Sequence, residues 1–267
     1  MANNSAAASS NQTAEKLLQV LEALAYQSQP VKLGDLARQL EMNNSTLYRF
    51  LSALQNMGYL NQNEGDGKYV LNLKLCYLGE MVRRSQSMVT LLHHAVVEAS
   101  TLFQETAHLT QIADQNIVYV DNVTVASQSL TIRQYIGKTA PLHCTGAGKL
   151  FLSGFSEDQL TAYLAAQPLR AMTPYTITTR EGLLQELEAV RQQGYALDNE
   201  ECELGMRCAA APIRDYTGQV VACLSVSAPS ARLTDEVIRR KISSLMEIAQ
   251  RASAELWYQG QEGGRPV

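Results

Sequence analysis

Apolar side chains recur every three or four residues in three short segments near the N-terminus, residues 13–27, 32–40 and 44–54. This spacing places them on one face of a helix, so the pattern predicts three short amphipathic helices. The turn at residues 41–44, with Glu41, Asn43 and Asn44 as polar helix breakers, separates the second helix from the third and supplies an N-cap for the third. The opposite face of the third helix carries Ser45, Thr46, Tyr48, Arg49 and Ser52.

Two short strand patterns follow, at residues 59–61 and 68–71. The six residues between them include Gly65 and Gly67, which can adopt the positive φ of a hairpin tip. Three helices followed by a hairpin are the winged helix-turn-helix pattern. Residues 74–87 then continue as an amphipathic connector helix.

Helical and strand patterns alternate from residue 88 onward. The predicted order is a helix over 88–105, strands over 108–113, 117–123 and 129–135, a glycine-rich turn with a short helix at 146–148, helices over 156–165 and 180–194, strands over 207–214 and 219–228, and a helix from residue 234. This order predicts an antiparallel sheet flanked by helices, which makes the chain α+β. The predicted divisions are a disordered tail (1–12), a winged helix-turn-helix domain (13–73), the connector (74–87) and a second domain (88–260).

Composition narrows the functional classes. The 267 residues suffice for two domains, and 46% apolar with 18% charged residues is ordinary for a globular protein. The chain has no run of about 18 apolar residues and no signal-peptide pattern, so we expect a cytoplasmic protein without a membrane partner. The net charge of −4 divides into +1 for residues 1–88 and −5 for the rest, which favours a nucleic-acid-facing N-terminal part.

The candidate catalytic and metal-binding residues do not have the spacing that known motifs require. We therefore expect no enzymatic activity, no metal and no cofactor. CTGAGK resembles a phosphate loop, but His143 and Leu150 stand where that motif requires Gly and Ser or Thr. His143 and Cys144 are adjacent and predicted to point to opposite faces of a strand, which argues against an activated nucleophile. The acidic run at 198–203 is interpreted as a solvated loop, and His93, His94 and His108 are interpreted as structural. The cysteines have no C-x-x-C spacing and are expected to be reduced: Cys76, Cys144, Cys202, Cys208 and Cys223.

The polar face of the third helix has the chemistry for reading DNA. An α-helix fits the major groove, and the N-terminal residues of the inserted helix reach the base edges. Hydroxyls and helix N-terminal amides suit phosphates, whereas Arg and Asn suit base edges. The candidate DNA-binding residues are Asn44, Ser45, Thr46, Tyr48, Arg49 and, across the hairpin, Lys68.

Five segments in this order resemble the IclR family of bacterial transcriptional regulators, and together they span nearly the whole chain. They are STLYRFLSALQNMGYL (45–60), KYVLNLKLCYLG (68–79), PLHCTGAGKLFL (141–152), GYALDNEECELGMRCAAAPIRD (194–215) and LSVSAPSARLT (224–234). Within the family, TLYRFL, KYVLNLKL and DNEE are most similar to pectin-catabolite regulators that sense a 2-keto-3-deoxy sugar acid. One departure is Asn44, where the family often has a lysine.

The resemblance implies that the second domain is a GAF-like effector-binding domain. Carried over by residue, Gly146 and Ala147 would offer backbone N–H groups to a carboxylate, Asp198 and Cys208 would line the wall, and Ser225 and Ser227 would donate hydroxyls. Residue chemistry agrees, because a glycine-rich helix start favours an anion and residues two apart on a strand share a face. The plainer alternatives are that the two serines face solvent and that Cys208 is a small core residue.

Together these features predict a ligand-responsive, DNA-binding repressor of a sugar-acid catabolic operon. Its expected partners are a pseudo-palindromic double-stranded operator, a small organic-acid effector such as 2-keto-3-deoxygluconate, and further copies of itself as a homodimer or a dimer of dimers. The alternatives are a small-molecule enzyme with an appended helical domain and a protein-interaction adaptor that uses the wing.

Overall fold

The computed structural model describes residues 11–85, 87–125 and 134–260, and the chain divides into two compact units, Met1–Ser87 and Met88–Val267. Most of the predicted tail and residues 129–133 of the strand predicted over 129–135 lie outside the described residues. Gln134 and Tyr135, which are described, are not in a strand. Among the described residues no helix is long and apolar enough to cross a bilayer.

The first unit is a winged helix-turn-helix, as the sequence predicted. Its elements are α1 (Gln12–Ala25), α2 (Leu33–Gln39), α3 (Asn44–Asn56), β1 (Leu60–Gln62), β2 (Tyr69–Leu71) and α4 (Lys74–Ser85). β1 and β2 form an antiparallel hairpin in which Leu60 lies opposite Leu71. The predicted apolar faces of the first three helices meet in one core that includes Val20, Leu36 and Leu51, each fully buried.

Gly58 ends α3 and starts the wing. Its φ of 76° lies in the left-handed region, which glycine adopts without steric cost. The Tyr59 N–H then donates to the Leu54 carbonyl at 2.8 Å, five residues back, as in a Schellman C-cap. This turn directs the chain from α3 into the hairpin.

The second unit contains a six-stranded antiparallel sheet between two layers of helices. Its elements are α5 (Met88–Phe103), β3 (Thr106–Ala113), β4 (Asn116–Val123), β5 (Thr139–Pro141), α6 (Gly146–Ser153), α7 (Glu157–Ala166), α8 (Arg180–Gln193), β6 (Ala196–Asn199), β7 (Met206–Arg214), β8 (Val220–Pro229) and α9 (Asp235–Glu255). The strand order is β5-β4-β3-β8-β7-β6. The predicted α+β fold class is confirmed, although the short strands β5 and β6 were not predicted.

Two separate cores lie on the two faces of this sheet. One core joins α5 and α9 to alternate sheet residues such as Leu109 and Leu224. The other joins α6, α7 and α8 to the intervening residues, among them Ile117 and Ala210. A strand residue therefore points to one core or the other according to its position, as the alternation of side chains requires.

Helix α6 lies very close to the rest of its unit because its first turn is made of glycine and alanine. A Cβ on Gly148 would stand 2.2 Å from the Leu142 carbonyl oxygen, and one on Gly146 would stand 3.2 Å from the Ala196 carbonyl oxygen. The glycine-rich start was predicted to allow close approach of a ligand. At Gly148 the group that approaches is the chain's own backbone.

Lys149 follows these glycines and is 1% exposed. Its ammonium donates three hydrogen bonds, to Glu186 Oε1 at 2.8 Å, to the Leu197 carbonyl at 2.9 Å and to Glu201 Oε1 at 2.6 Å. It therefore ties α6 to α8 and to the segment after β6. We call this set the Lys149 cluster.

The prediction that residues 198–203 form a solvated loop was wrong for two of their acids. Asp198 lies in β6 and is 1% exposed, and Glu201 is 5% exposed. Burial raises the pKa of Glu201, while the Lys149 ammonium opposes that rise. The acids turn inward because Lys149 and two backbone amides provide partners that the linear sequence does not reveal.

We predict that Lys149→Met lowers the free energy of unfolding of the second unit by about 3–5 kcal/mol, because it leaves Glu201 buried without a counter-charge. Methionine retains most of the side-chain volume. Denaturant unfolding of the full chain followed by tryptophan fluorescence and circular dichroism measures the change. The exposed Lys138→Met is the control, with an expected change within about 0.5 kcal/mol.

The double variant Lys149→Met/Glu201→Leu should recover much of this loss, because a buried ion pair can often be replaced by apolar groups at little cost. A Lys149→Met protein as stable as the Lys138→Met control would contradict a structural role for the cluster.

Candidate functional site

The exposed face of α3 presents the polar side chains that the sequence singled out. Asn44, Ser45, Tyr48 and Arg49 are exposed and Thr46 is half-buried. Tyr48 leaves 57% of its surface exposed, so its ring and hydroxyl are accessible beside Arg49 on this face. The other face of the helix fills the core of the first unit.

The start of α3 suits an anion. Asn43 occupies the N-cap position without making a side-chain cap, and the first turn contains no acidic residue. The amide groups of that turn and the positive end of the helix dipole therefore point toward solvent without a nearby carboxylate. A DNA phosphate has the charge and the acceptor oxygens for this position.

Lys68 is paired within the wing. Its ammonium lies 3.1 Å from Asp66 Oδ2, and both side chains remain partly exposed. The pKa of Asp66 is lowered first by the Lys68 backbone N–H and then by the Lys68 side chain. To bind a DNA phosphate, the Lys68 ammonium would have to leave the Asp66 carboxylate or contact both groups at once.

Sequence reasoning missed the role of Lys74 in the first unit. Its ammonium donates to the Met57 carbonyl at 2.6 Å and lies 4.3 Å from the centre of the Tyr59 ring. A cation at the carbonyl end of α3 is favoured by the helix dipole, and the aromatic face adds a cation–π contact. The first residue of α4 thus holds the end of α3 and the start of the wing together.

All six residues predicted to bind an effector line one pocket between the start of α6 and the sheet. They are Gly146, Ala147, Asp198, Cys208, Ser225 and Ser227. Ile117, Tyr119, Thr145, Cys202 and Met206 complete the lining. The structure therefore brings together residues from α6, β6, β7 and β8 that are up to 81 positions apart in the chain.

Strand register explains this convergence. Asp198 lies opposite Cys208, and Cys208 lies opposite Ser227, so the three side chains form a row across β6, β7 and β8. Ser225 and Ser227 are 2% and 3% exposed, which rules out the alternative that they face solvent. Cys208 is both a pocket residue and a member of the packed sheet.

The pocket is narrow. Between its walls only about 10 Å³ is open to the centre of a water molecule. That space suffices for about one water. A molecule of several carbons therefore requires the walls to move apart.

Asp198 is the carboxyl group of the pocket wall. Its Oδ1 accepts hydrogen bonds from the amides of Glu201 at 2.7 Å and Cys202 at 3.2 Å. Burial nevertheless raises the pKa of Asp198 to about 7, because it outweighs these two amides. Burial also raises the pKa of the Cys208 thiol to about 12. Near neutral pH the wall thus carries at most a partial negative charge.

His143 and Cys144 lie in a turn before α6 rather than on a strand. His143 Nε2 pairs with the Arg170 carbonyl at 3.0 Å, and burial lowers the pKa of this histidine. The Cys144 thiol contacts Cys202, which raises the pKa of Cys144 and lowers that of Cys202. Each of the two side chains thus has a partner of its own.

The second unit also contains a residue that sequence reasoning did not assign. Lys149 does not line the pocket, but it holds the carbonyl of Leu197 and the carboxylate of Glu201, on either side of Asp198. The signal that could have found it is a single charge in an otherwise apolar helix, GAGKLFLS. Such a charge requires a buried partner.

Comparison with known proteins gives matches over both units. The model of the IclR helix-turn-helix domain matches residues 13–64, and that of the bacterial transcriptional regulator IclR C-terminal domain matches residues 82–254. The HTH-type transcriptional regulator KdgR of Escherichia coli is 34% identical over 243 residues, which cover 91% of this chain and 92% of that protein. The acetate operon repressor of Salmonella typhimurium is 32% identical over 221 residues, which cover 82% of this chain and 80% of that protein. The crystal structure of Thermotoga maritima IclR is 32% identical, with a TM-score of 0.62, and covers 92% of this chain and 99% of that one.

Proposed function

The chain belongs to the IclR family of DNA-binding transcription regulators, and we propose that it represses a sugar-acid catabolic operon until a small organic acid binds its second unit. The relatives include a regulator named KdgR and a repressor of an acetate operon, which supports a role in the use of carbon sources. The family consists of regulators, so the alternative of an enzyme with an appended domain is set aside. The proposed location is the cytoplasm, where the operator is.

The observation that carries the effector proposal is the convergence of the six pocket residues on the start of α6. The Thr145 hydroxyl accepts from the Gly148 amide, which leaves the Gly146 and Ala147 amides for a carboxylate. The helix dipole favours an anion at this end. Hydroxyls of Ser225 and Ser227 stand on the sheet opposite. We infer that the pocket takes an organic acid such as 2-keto-3-deoxygluconate.

Two copies on a pseudo-palindromic operator fit the charge and surface of the first unit. Residues 1–88 carry a net charge of only +1, so one copy has little electrostatic affinity for DNA. Exposed apolar side chains on α1 and α4, such as Leu18, Tyr77 and Met81, offer surfaces for self-association. Pairing would place two copies of α3 in successive major grooves.

The proposed switch acts on the arrangement of the paired DNA-binding units. An effector shifts that arrangement only to the extent that it binds one state more tightly than the other. The narrow pocket supplies such a difference, because an acid of several carbons can enter only a widened form. We propose that widening is transmitted through the connector α4 to the first units.

We predict that Arg49→Ala weakens binding to the chain's own upstream operator by about 5- to 150-fold per half-site and relaxes base preference, the effect of losing one bidentate base contact. Fluorescence anisotropy measures the affinity of each variant at the same salt concentration, and a salt series gives the salt dependence for the wild type. The control is Arg240→Ala, which removes an exposed arginine from α9, where it pairs with Glu236. An Arg49→Ala protein that binds like the control would remove Arg49 from the interface, and binding without salt dependence would favour the adaptor alternative.

We predict that Ser225→Ala weakens the binding of 2-keto-3-deoxygluconate by about 10-fold or more, because a hydrogen bond to a carboxylate is lost in a buried site. Isothermal titration of the full chain gives the affinity, and operator release gives the response. Ser153→Ala is the matched control, since Ser153 donates to the Leu150 carbonyl away from the pocket. Failure of the wild-type protein to bind the acid would overturn the choice of effector.

We predict that the affinity for this acid falls as the pH rises through about 7, the pKa of Asp198. Below that pH Asp198 is protonated and does not repel the anion. Above it Asp198 must take up a proton before the anion can bind, so the affinity falls by up to about tenfold for each further pH unit. Asp198→Asn should abolish this dependence while keeping the acceptor for the two amides. A pH slope that persists in Asp198→Asn would assign the titration to another group, such as Cys202.

A further inference from the structure

His108 stands in the middle of the sheet beneath the pocket. β3 lies between β4 and β8 in the strand order. The pocket is lined by Tyr119 of β4 and Ser225 of β8, the strands on either side of β3, while β3 itself contributes no lining residue. Ala107 and Leu109 belong to the core on the α5 side, and therefore His108, between them, points to the side of α6.

Direct contacts place the imidazole between the two walls. His108 is paired with Ser225 in the strand register, so their side chains lie side by side on the same face. Its ring centre lies 5.1 Å from that of Tyr119 in an edge-to-face arrangement. The ring thus lies between two residues that line the pocket and directly beneath the lining, of which it is not itself a part.

Both ring nitrogens of His108 lack a hydrogen-bond partner among the described residues, although the residue is 0% exposed. Buried polar groups are nearly always paired, and an unpaired one requires a specific explanation. The other histidines behave differently, since His93 pairs with Asp121 and His143 with the Arg170 carbonyl. Burial lowers the pKa of His108 to about 4, so the imidazole is neutral and offers one donor and one acceptor.

We propose that His108 is an effector-binding residue that hydrogen-bonds a hydroxyl on the carbon chain of the acid, away from its carboxylate. This inference rests on the proposed function, in which the carboxylate occupies the start of α6. Gly146 packs over Ala210 of β7, and His108 on β3 is two strands farther along the sheet, about 10 Å away. The carboxylate and the group at His108 are therefore different parts of the ligand, joined by its carbon chain, with Ser225 lying between the two positions.

A hydroxyl is the group that matches a neutral imidazole, because it can accept from the N–H or donate to the other nitrogen. A methylene at that position would leave both nitrogens unpaired in the bound state. The site should therefore prefer a polyhydroxy acid to an unsubstituted acid of the same length, since a site with buried polar groups rejects an analogue that cannot pair them.

The test compares 2-keto-3-deoxygluconate with 2-oxohexanoate, which has the same six-carbon 2-oxo acid chain but no hydroxyls. Isothermal titration of the full chain gives the ratio of the two affinities for the wild type, His108→Phe and His108→Asn. His108→Phe retains an aromatic ring against Tyr119 without its nitrogens, whereas His108→Asn retains a donor and an acceptor. We expect the preference for the hydroxylated acid to fall at least tenfold in His108→Phe and to be partly restored in His108→Asn.

Stability separates a binding role from a structural one. Because His108→Phe and a second apolar variant, His108→Leu, remove an unpaired polar group, we expect neither to melt below the wild type. If both melt well below it, the imidazole is required for folding and the inference is overturned.

The two proposals fail in different ways. If the wild type binds the hydroxylated acid and His108→Phe keeps the same preference, or loses both acids equally, only the role of His108 is overturned. If the wild type binds neither acid, the proposed effector class is overturned, and the role of His108 with it.

Discussion

The buried ammonium of Lys149 is the contact on which the architecture of the second unit depends. It directs its three protons to α8, to β6 and to the segment after β6, and so fixes where α6 begins relative to the sheet. The pocket lies at that junction. A buried ion pair of this kind contributes little net stability compared with apolar packing, but breaking it leaves an uncompensated charge. Its consequence here is geometric, because it sets the spacing between the amides of α6 and the carboxyl of Asp198.

Polar groups that are costly to bury lie in and beneath the pocket between α6 and the sheet. Asp198 has a pKa raised to about 7 by burial, and His108 has two unpaired nitrogens below the same pocket. Each lowers the stability of the folded chain, and a binding partner that pairs them recovers the cost. The first unit shows the corresponding arrangement for a charged partner, since α3 starts without a side-chain cap and exposes Tyr48 and Arg49. In both units, polar groups that lack a full set of partners thus lie where binding is proposed.

The sequence was a good guide to the elements whose signal is local. Apolar spacing predicted α1 to α4 and the long helices α5, α8 and α9, and the paired glycines located the wing. It did not predict β5 and β6, which are three and four residues long and have too few side chains to show alternation. The six effector residues came from resemblance to the family, and their roles remain predictions, but the structure places them around one pocket.

By itself, the sequence determined the order of the helices and of the longer strands β3, β4, β7 and β8, the polar face of α3, and the placement of Ser225 and Ser227 on one side of a strand. Each of these depends on the spacing of neighbouring residues. Only the tertiary structure decided the burial of Asp198 and Glu201, the partners of Lys149, which lie 37 and 52 residues away, and the absence of a partner for His108 among the described residues. The physical reason is that burial and charge pairing depend on which distant segments pack together, and packing brings side chains into contact without any regular spacing along the chain.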